Sequence, residues 1–330
     1  MLERLLEMVL GSLSFAERPE VTVEANPESV EEDVLAALAA IPGGRLSLGG
    51  QSFCNDVLRT LGRGHDPQAV FRAADLARAA GISGLSLDLI YGIPGQTIEC
   101  WTGTLRSAAA LKPDHVSCYC LSLEAGTRLE RAVRDGAARP VLDSAQRQMY
   151  EIARRELAGA GYSHYEISNF ATPGRESRHN MGYWCRGEYR GLGPSAHSFL
   201  NGVRWGNVND VDEYCRRLSA GRDVLAWSET LSLDQAVDET VMLALRTAGG
   251  LRLDRVMELG GGEMEEALVR AAEPLLQEEV LALSGRTLTI PHEHWFVSDE
   301  IIARLLEGRR LFRRAPSEGG SKDSPAKPVS

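Results

Sequence analysis

Ser86-Leu87-Asp88-Leu89-Ile90-Tyr91-Gly92-Ile93-Pro94-Gly95-Gln96-Thr97 is an apolar strand with one carboxylate inside it and a Gly/Pro turn at its end. Leu85, Leu87 and Leu89 share one face and Ile90 follows, so the strand reads as buried on both sides. A charge in such a strand needs a partner, which places Asp88 for a ligand better than for a core. Gly92 and Gly95 permit a tight turn or a close approach to a bound molecule, and Pro94 fixes the exit. The competing reading makes Asp88 a structural acceptor of backbone N–H groups in the turn.

Outward from this strand the chain repeats a strand-then-helix unit. Val21 to Glu24 is a short β-branched strand, and Ser29 with Glu32 forms a capping box that opens a helix over 30–41. Arg45 to Gly49 is a second strand, followed by helical patterns at 54–61 and 67–80. The strand at 84–90 leads into a helix at 98–111, a strand at 115–121 precedes a helix at 144–160, and 162–167 forms a further strand. Such alternation predicts an α/β fold with a parallel sheet and right-handed crossovers.

Polar residues collect where these strands end. Glu24 closes the first, Gln51 lies just past the second, Asp88 is near the end of the third, and Arg63 lies on the loop between the helices that follow Gln51. In a (β/α) barrel that edge carries the active site. Two carboxylates, an amide and a guanidinium suit a ligand with a ribose diol, an ammonium and a carboxylate, all of which S-adenosylmethionine carries. Taken singly, each has a bland reading: Glu24 as a turn cap before Pro27, Gln51 bonded to local backbone, Arg63 on the surface.

Past about residue 170 a polar-aromatic block appears, containing Arg178-His179-Asn180-Met181-Gly182-Tyr183-Trp184. His179 offers an axial ligand for haem iron, with Asn180, Tyr183 and Trp184 supplying polar and flat aromatic surface beside it. Alternatively the aromatic pair packs the barrel mouth and His179 bonds to backbone. The six cysteines, at 54, 100, 118, 120, 185 and 215, read as reduced thiols. Cys118 and Cys120 share a strand face, where packing explains them better than a metal.

From residue 228 the composition changes to helices at 234–246, 252–258 and 263–276 with short strands near 280–283 and 287–290, a winged-helix-like pattern. Its many acidic residues, and a net charge of −10 over 330 residues, disfavour nucleic acid as a partner. Residues 315–330, rich in Pro, Ser, Gly and Lys, read as a disordered tail. The composition is 43% hydrophobic and 25% charged, and no apolar run approaches the roughly 18 residues of a membrane span. The N-terminal pattern, apolar at 2, 5, 6, 9 and 10, is an amphipathic helix and not a secretory signal, from which a cytoplasmic location is expected.

These motifs occur in a fixed order: Glu24-Ala25-Asn26-Pro27, Arg45 to Gly49 with Gln51-Ser52-Phe53, Leu61-Gly62-Arg63 with His65, Ser86 to Thr97, His115-Val116-Ser117 with Tyr119, Tyr165 to Phe170, and His179-Asn180 with Tyr183-Trp184. The set resembles the radical SAM haem chaperones, a family related to the oxygen-independent coproporphyrinogen III oxidases. The resemblance implies a (β/α) radical SAM barrel over 1–227 and a small helical, winged-helix-like C-terminal domain over 228–314. It places Glu24, Gln51, Arg63 and Asp88 on the family's S-adenosylmethionine positions. It implies binding of haem, delivery to haem-accepting proteins, and peripheral membrane association through those acceptors.

The family also opens with a strand and a Cys-x-x-x-Cys-x-x-Cys loop that holds a [4Fe–4S] cluster. No cysteines in this sequence have that spacing, and Met1 lies in what resembles the helix after them. The expectation is therefore a partial barrel missing its first strand: either an N-terminally truncated form, which the retained Glu24, Gln51, Arg63 and Asp88 favour, or a shortened homologue that binds without radical chemistry. No catalytic residue is assigned, and whether the chain is an enzyme stays open. Beside the haem chaperone stand two other readings, an oxidase that decarboxylates coproporphyrinogen III and a cluster-free module that binds haem or S-adenosylmethionine.

Overall fold

The computed structural model describes residues 2–15 and 17–314, which divide into two compact units at Cys185/Arg186. The first contains α1 (Leu2–Ser12), β1 (Val21–Ala25), α2 (Glu32–Ala39), β2 (Gly44–Gln51), α3 (Asn55–Thr60), α4 (Pro67–Ala79) and β3 (Gly84–Tyr91). It continues with α5 (Ile98–Ala110), β4 (His115–Cys120), α6 (Arg128–Arg134), α7 (Asp143–Gly159), β5 (Ser163–Glu166), β6 (Asn169–Ala171) and α8 (Arg178–Trp184). The strands form one six-stranded sheet in the order β1-β2-β3-β4-β6-β5.

β1 to β4 are parallel, as the strand–helix alternation requires. The segment expected as one further parallel strand over 162–167 is instead the first arm of a hairpin, with β6 antiparallel to both β4 and β5. The reason is local. The Ser168 N–H donates to Glu166 Oε2 at 3.2 Å and closes a tight turn, and a turn that short can join only antiparallel neighbours. The capping box expected at Ser29 also fails to form. Ser29 ends a 3₁₀ turn over Pro27–Ser29, its hydroxyl donates to the Asn26 carbonyl at 3.0 Å, and α2 starts only at Glu32.

The parallel strands carry two different faces. Leu46 and Leu48, Leu85, Leu87 and Leu89, and Val116 and Cys118 are buried on one side. Val70 of α4 lies close to that face at Leu87 and Gly50, and Trp101 of α5, at 0% exposure, donates to the Met149 carbonyl of α7 at 2.8 Å. The alternate residues are polar: Thr22 and Glu24, Arg45 and Ser47, Ser86 and Asp88, then His115, Ser117 and Tyr119. The strand around Asp88 is thus buried on both sides as its sequence implies, but its second face is not apolar.

The second unit contains β7 (His197–Leu200), β8 (Val203–Asn207), α9 (Val211–Ser219), β9 (Leu225–Thr230), α10 (Leu233–Ala244), β10 (Leu251–Arg252), α11 (Leu253–Gly260), α12 (Gly262–Gln277), β11 (Ala282–Ser284), β12 (Thr287–Thr289) and α13 (Ser298–Arg314). The order α10-β10-α11-α12-β11-β12, with β12 central in its sheet, is the winged-helix arrangement expected from the helix and hairpin pattern. The antiparallel sheet β7-β8-β9 belongs to this unit, whereas the change of composition puts a boundary at 227/228. Glu239 of α10 explains the grouping. It accepts from Arg186 at 3.2 Å and from Arg204 of β8 at 2.7 Å, and both guanidinium groups lie over the Phe199 ring of β7. The tail expected over 315–330 lies outside the described residues.

One buried charge closes the second unit. Arg309 of α13 is fully buried and reaches Asp234 at 3.2 Å and Asp238 at 2.5 Å on α10. Asp238→Ala leaves the buried Arg309 with only the more exposed Asp234 as partner, so it is expected to destabilise this unit by about 3 kcal/mol in urea unfolding. A loss below about 1 kcal/mol, the range of an exposed pair, would contradict the account.

Candidate functional site

A cavity of about 190 Å³ opens on the polar face of β1 to β4 and is lined by both Glu24 and Asp88. Parallel register brings them there: Glu24 lies beside Ser47, and Asp88 lies beside Ser117. Asp88 accepts from Ser47 Oγ at 2.9 Å. Burial pushes its carboxyl above the usual range, hydrogen bonds from Ser117 and Ser47 pull the other way, and the Glu24 charge raises it further. Three carboxylates, Glu20, Glu24 and Asp88, line the cavity against one guanidinium, Arg45, which is paired with Glu20, so Glu24 and Asp88 leave room for a cation or several donors.

Gln51 and Arg63 do not line that cavity and gather next to it. Gln51 ends β2 at 7% exposure with φ +60°, a left-handed backbone unusual for a residue with a side chain. Its amide lies against Gly49, where an added Cβ would stand 2.8 Å from Gln51 Nε2 and 3.5 Å from Asn26 Oδ1. Asn26 Oδ1 accepts from Arg63 Nη1 at 2.7 Å. Gly49 thus leaves room for an amide–guanidinium group at the ends of β1 and β2, two residues along from Glu24.

His179 and Asn180 line the same cavity as Glu24 and Asp88. They sit in the first turn of α8, whose N-cap Ser177 accepts the Asn180 N–H at 3.2 Å. His179 is exposed, and the Tyr183 ring meets it edge-on with centroids 4.7 Å apart. Trp184 is half-buried one position further along and is not part of the cavity wall. Among the described residues, no three His, Cys, Asp or Glu side chains group as a metal site would need. Cys118 is packed in the apolar layer with its thiol raised by burial, while Cys120 is exposed and donates to Gln146 Oε1 at 3.3 Å, in keeping with a packing role.

Sequence reading missed Glu20, Arg45, His115 and Tyr165 as parts of this region. His115 is 2% exposed and held between Ser86 Oγ and the Tyr165 hydroxyl, each at 2.8 Å. Burial, aided by Arg45, brings its pKa down to about 3, so the ring is neutral. The signal was present in the strands, where polar residues alternate at Arg45 and Ser47, at Ser86 and Asp88, and at His115 and Ser117.

The α/β fold with its polar sheet face is that of a radical SAM protein, and residues 1–108 match the family model of the radical SAM superfamily. The solved coproporphyrinogen III oxidase HemN of Escherichia coli shares the fold with a TM-score of 0.73 at 21% identity, over 93% of this chain and 73% of that one. The heme chaperone HemW of Mycobacterium tuberculosis is 37% identical over 305 residues, which is 92% of this chain and 76% of that protein. HemW of Bacillus subtilis is 29% identical over 306 residues, covering 92% and 81% respectively. The chain belongs to the heme chaperone HemW family.

Glu166, on β5 and outside the cavity lining, gives the fold a titration signature. It is 1% exposed, its Oε1 and the Oδ1 of Asn169 across the hairpin accept no hydrogen bond, and burial lifts its pKa to about 7. A carboxyl that binds its proton more tightly folded than unfolded favours folding at low pH and loses that stabilisation as pH rises. Folding stability is therefore expected to fall between the ordinary 4.5 and about 7, by roughly 3 kcal/mol in all, and Glu166→Gln is expected to flatten that slope in urea titrations at stepped pH. An unchanged slope in the variant would assign the pH dependence to another group.

Proposed function

We propose that this chain is a haem chaperone that binds S-adenosylmethionine against the polar sheet face and haem at α8, and hands haem to acceptor proteins. The observation that carries the reading is that Glu24 and Asp88 share one cavity with His179 and Asn180 in a chain 37% identical to a heme chaperone. The donor set fits S-adenosylmethionine. Glu24 and Asp88 accept from its ribose hydroxyls and ammonium, and their crowding is relieved by its positive charge. Arg63 is suited to its carboxylate, and Gly49 lets the Gln51 amide pack at the same strand end. S-adenosylmethionine brings an activated sulfonium to the site; the residues named here bind and orient it.

For haem, the imidazole of His179 would supply the iron ligand, with Tyr183 meeting the ring edge-on and Trp184 adding aromatic surface nearby. The oxidase reading is disfavoured. The likeness to the oxidase is at the level of fold, at 21% identity, whereas heme chaperones match at 37% over the same extent of chain. No helix among the described residues is long and apolar enough to cross a membrane.

Titration of the protein with ferric haem, read by the Soret band, tests the haem half. His179→Ala is expected to lose the ligand-induced shift and to weaken binding at least tenfold, which corresponds to about 1.4 kcal/mol. A spectrum identical to the parent would move the ligand elsewhere. For the other half, calorimetry with S-adenosylmethionine should show binding that Asp88→Ala weakens; equal heats from parent and variant would remove Asp88 from the site.

A further inference from the structure

α8 has seven residues, too few to hold a fixed direction by its own hydrogen bonds, yet it carries the residue that the haem reading uses. Two polar ties, the first of them buried, anchor it to the sheet. In the first, Ser86 Oγ of β3 contacts His115 Nδ1 at 2.8 Å, and His115 Nε2 contacts the Tyr165 hydroxyl of β5 at 2.8 Å. The Ser177 N–H then donates to the Tyr165 oxygen at 3.4 Å, and Ser177 Oγ caps α8 at Asn180. In the second, Glu20 Oε1 accepts the His179 N–H at 3.2 Å while Glu20 Oε2 pairs with Arg45 Nη1 at 3.4 Å. Arg45 Nη1 also donates to the carbonyls of Arg175 at 3.0 Å and Glu176 at 3.4 Å, just before the helix.

The first tie holds in either tautomer. With the proton on Nδ1, His115 donates to Ser86 Oγ and accepts from the Tyr165 hydroxyl; with the proton on Nε2, it donates to the Tyr165 oxygen and accepts from Ser86. Either way the imidazole is a neutral strut bonded at both nitrogens. Ser86, His115, Tyr165 and Ser177 are all at 8% exposure or less. Apolar side chains in those places would serve stability as well or better, so a satisfied polar chain contributes direction more than energy.

We infer that His115 and Tyr165 are positioning residues that set the direction of α8 and so place His179 and Asn180 over the cavity that holds Glu24 and Asp88. The inference rests on the haem reading for its consequence, though not for its geometry. Both act on the helix through Ser177.

Tyr165→Phe removes only the hydroxyl and keeps the ring that packs 5.7 Å from the His115 ring. In the haem titration it is expected to shift the Soret maximum or spin state toward that of a weaker axial ligand and to reduce affinity about 3- to 10-fold, the range of one lost hydrogen bond. Hydrogen exchange of amides 178–184 should quicken, while β2 and β3 exchange and the melting temperature stay close to the parent's. Ser86→Ala, at the far end of the strut, should do the same more weakly. Unchanged exchange over 178–184 in both variants would overturn the inference. If His179→Ala leaves the haem spectrum untouched, the haem reading at this helix fails, and the exchange data still decide whether Tyr165 positions it. Altered exchange with a parental haem spectrum would overturn the link between the strut and the ligand.

Discussion

A parallel strand covered on both faces usually carries apolar side chains on both. β2, β3 and β4 do so on one face only, and the rest of the N-terminal unit follows from that asymmetry. The apolar face, with Leu48, Leu87 and Val116, collects the helices and supplies the hydrophobic stabilisation. The other face holds carboxylates, hydroxyls, an imidazole and a guanidinium in register, so it must be satisfied by internal hydrogen bonds or by a ligand. Both occur. Ser47 and Ser117 attend Asp88, Glu20 attends Arg45, and Ser86 and Tyr165 attend His115, while the space above Glu24 and Asp88 is left open.

That division of labour separates two kinds of polar group. His115 and Arg45 are buried and bonded toward the segment leading into α8, so they behave as parts of the scaffold. Asp88 and Glu24 are crowded carboxylates facing a cavity, and Glu166 is a buried carboxyl with an orphan oxygen; their charge is not balanced by neighbours. Of these, Asp88 is the one whose ionisation is strained by burial while it faces the cavity, which marks it as a ligand-site candidate. The amide–guanidinium pair around Asn26 and Gly49 extends the same edge and adds donors to the acceptors.

Much of this was legible in the sequence. The four parallel strands and their helices could be read to within a residue or two, because Leu and Val periodicity and the Gly/Pro turns agree with one another at each. That Glu24 and Asp88 would meet was legible because strand ends in such folds gather at one edge, whereas Gln51 and Arg63 lie outside the cavity those two share. The hairpin at 163–171 was not, since a strand's sequence does not state the direction of its neighbour; only the Glu166 side chain closing the turn at Ser168 decides it. Nor were the roles of Arg45, His115 and Tyr165. Each looks like an ordinary strand residue until register and the segment at 175–177 bring their partners together. The grouping of β7 to β9 with the C-terminal unit was hidden for a related reason, as Glu239 draws on Arg186 and Arg204 from far up the chain.

The central claim is that the polar sheet face and α8 form one binding site. Its most direct test is an NMR titration of the uniformly labelled chain with ferric haem, whose unpaired electrons broaden nearby amide signals. The account predicts selective broadening at 177–184 together with the facing strand residues around Glu24, Ser47, Asp88 and Ser117. Broadening confined to residues 186–314, or spread without preference over the surface, would contradict it.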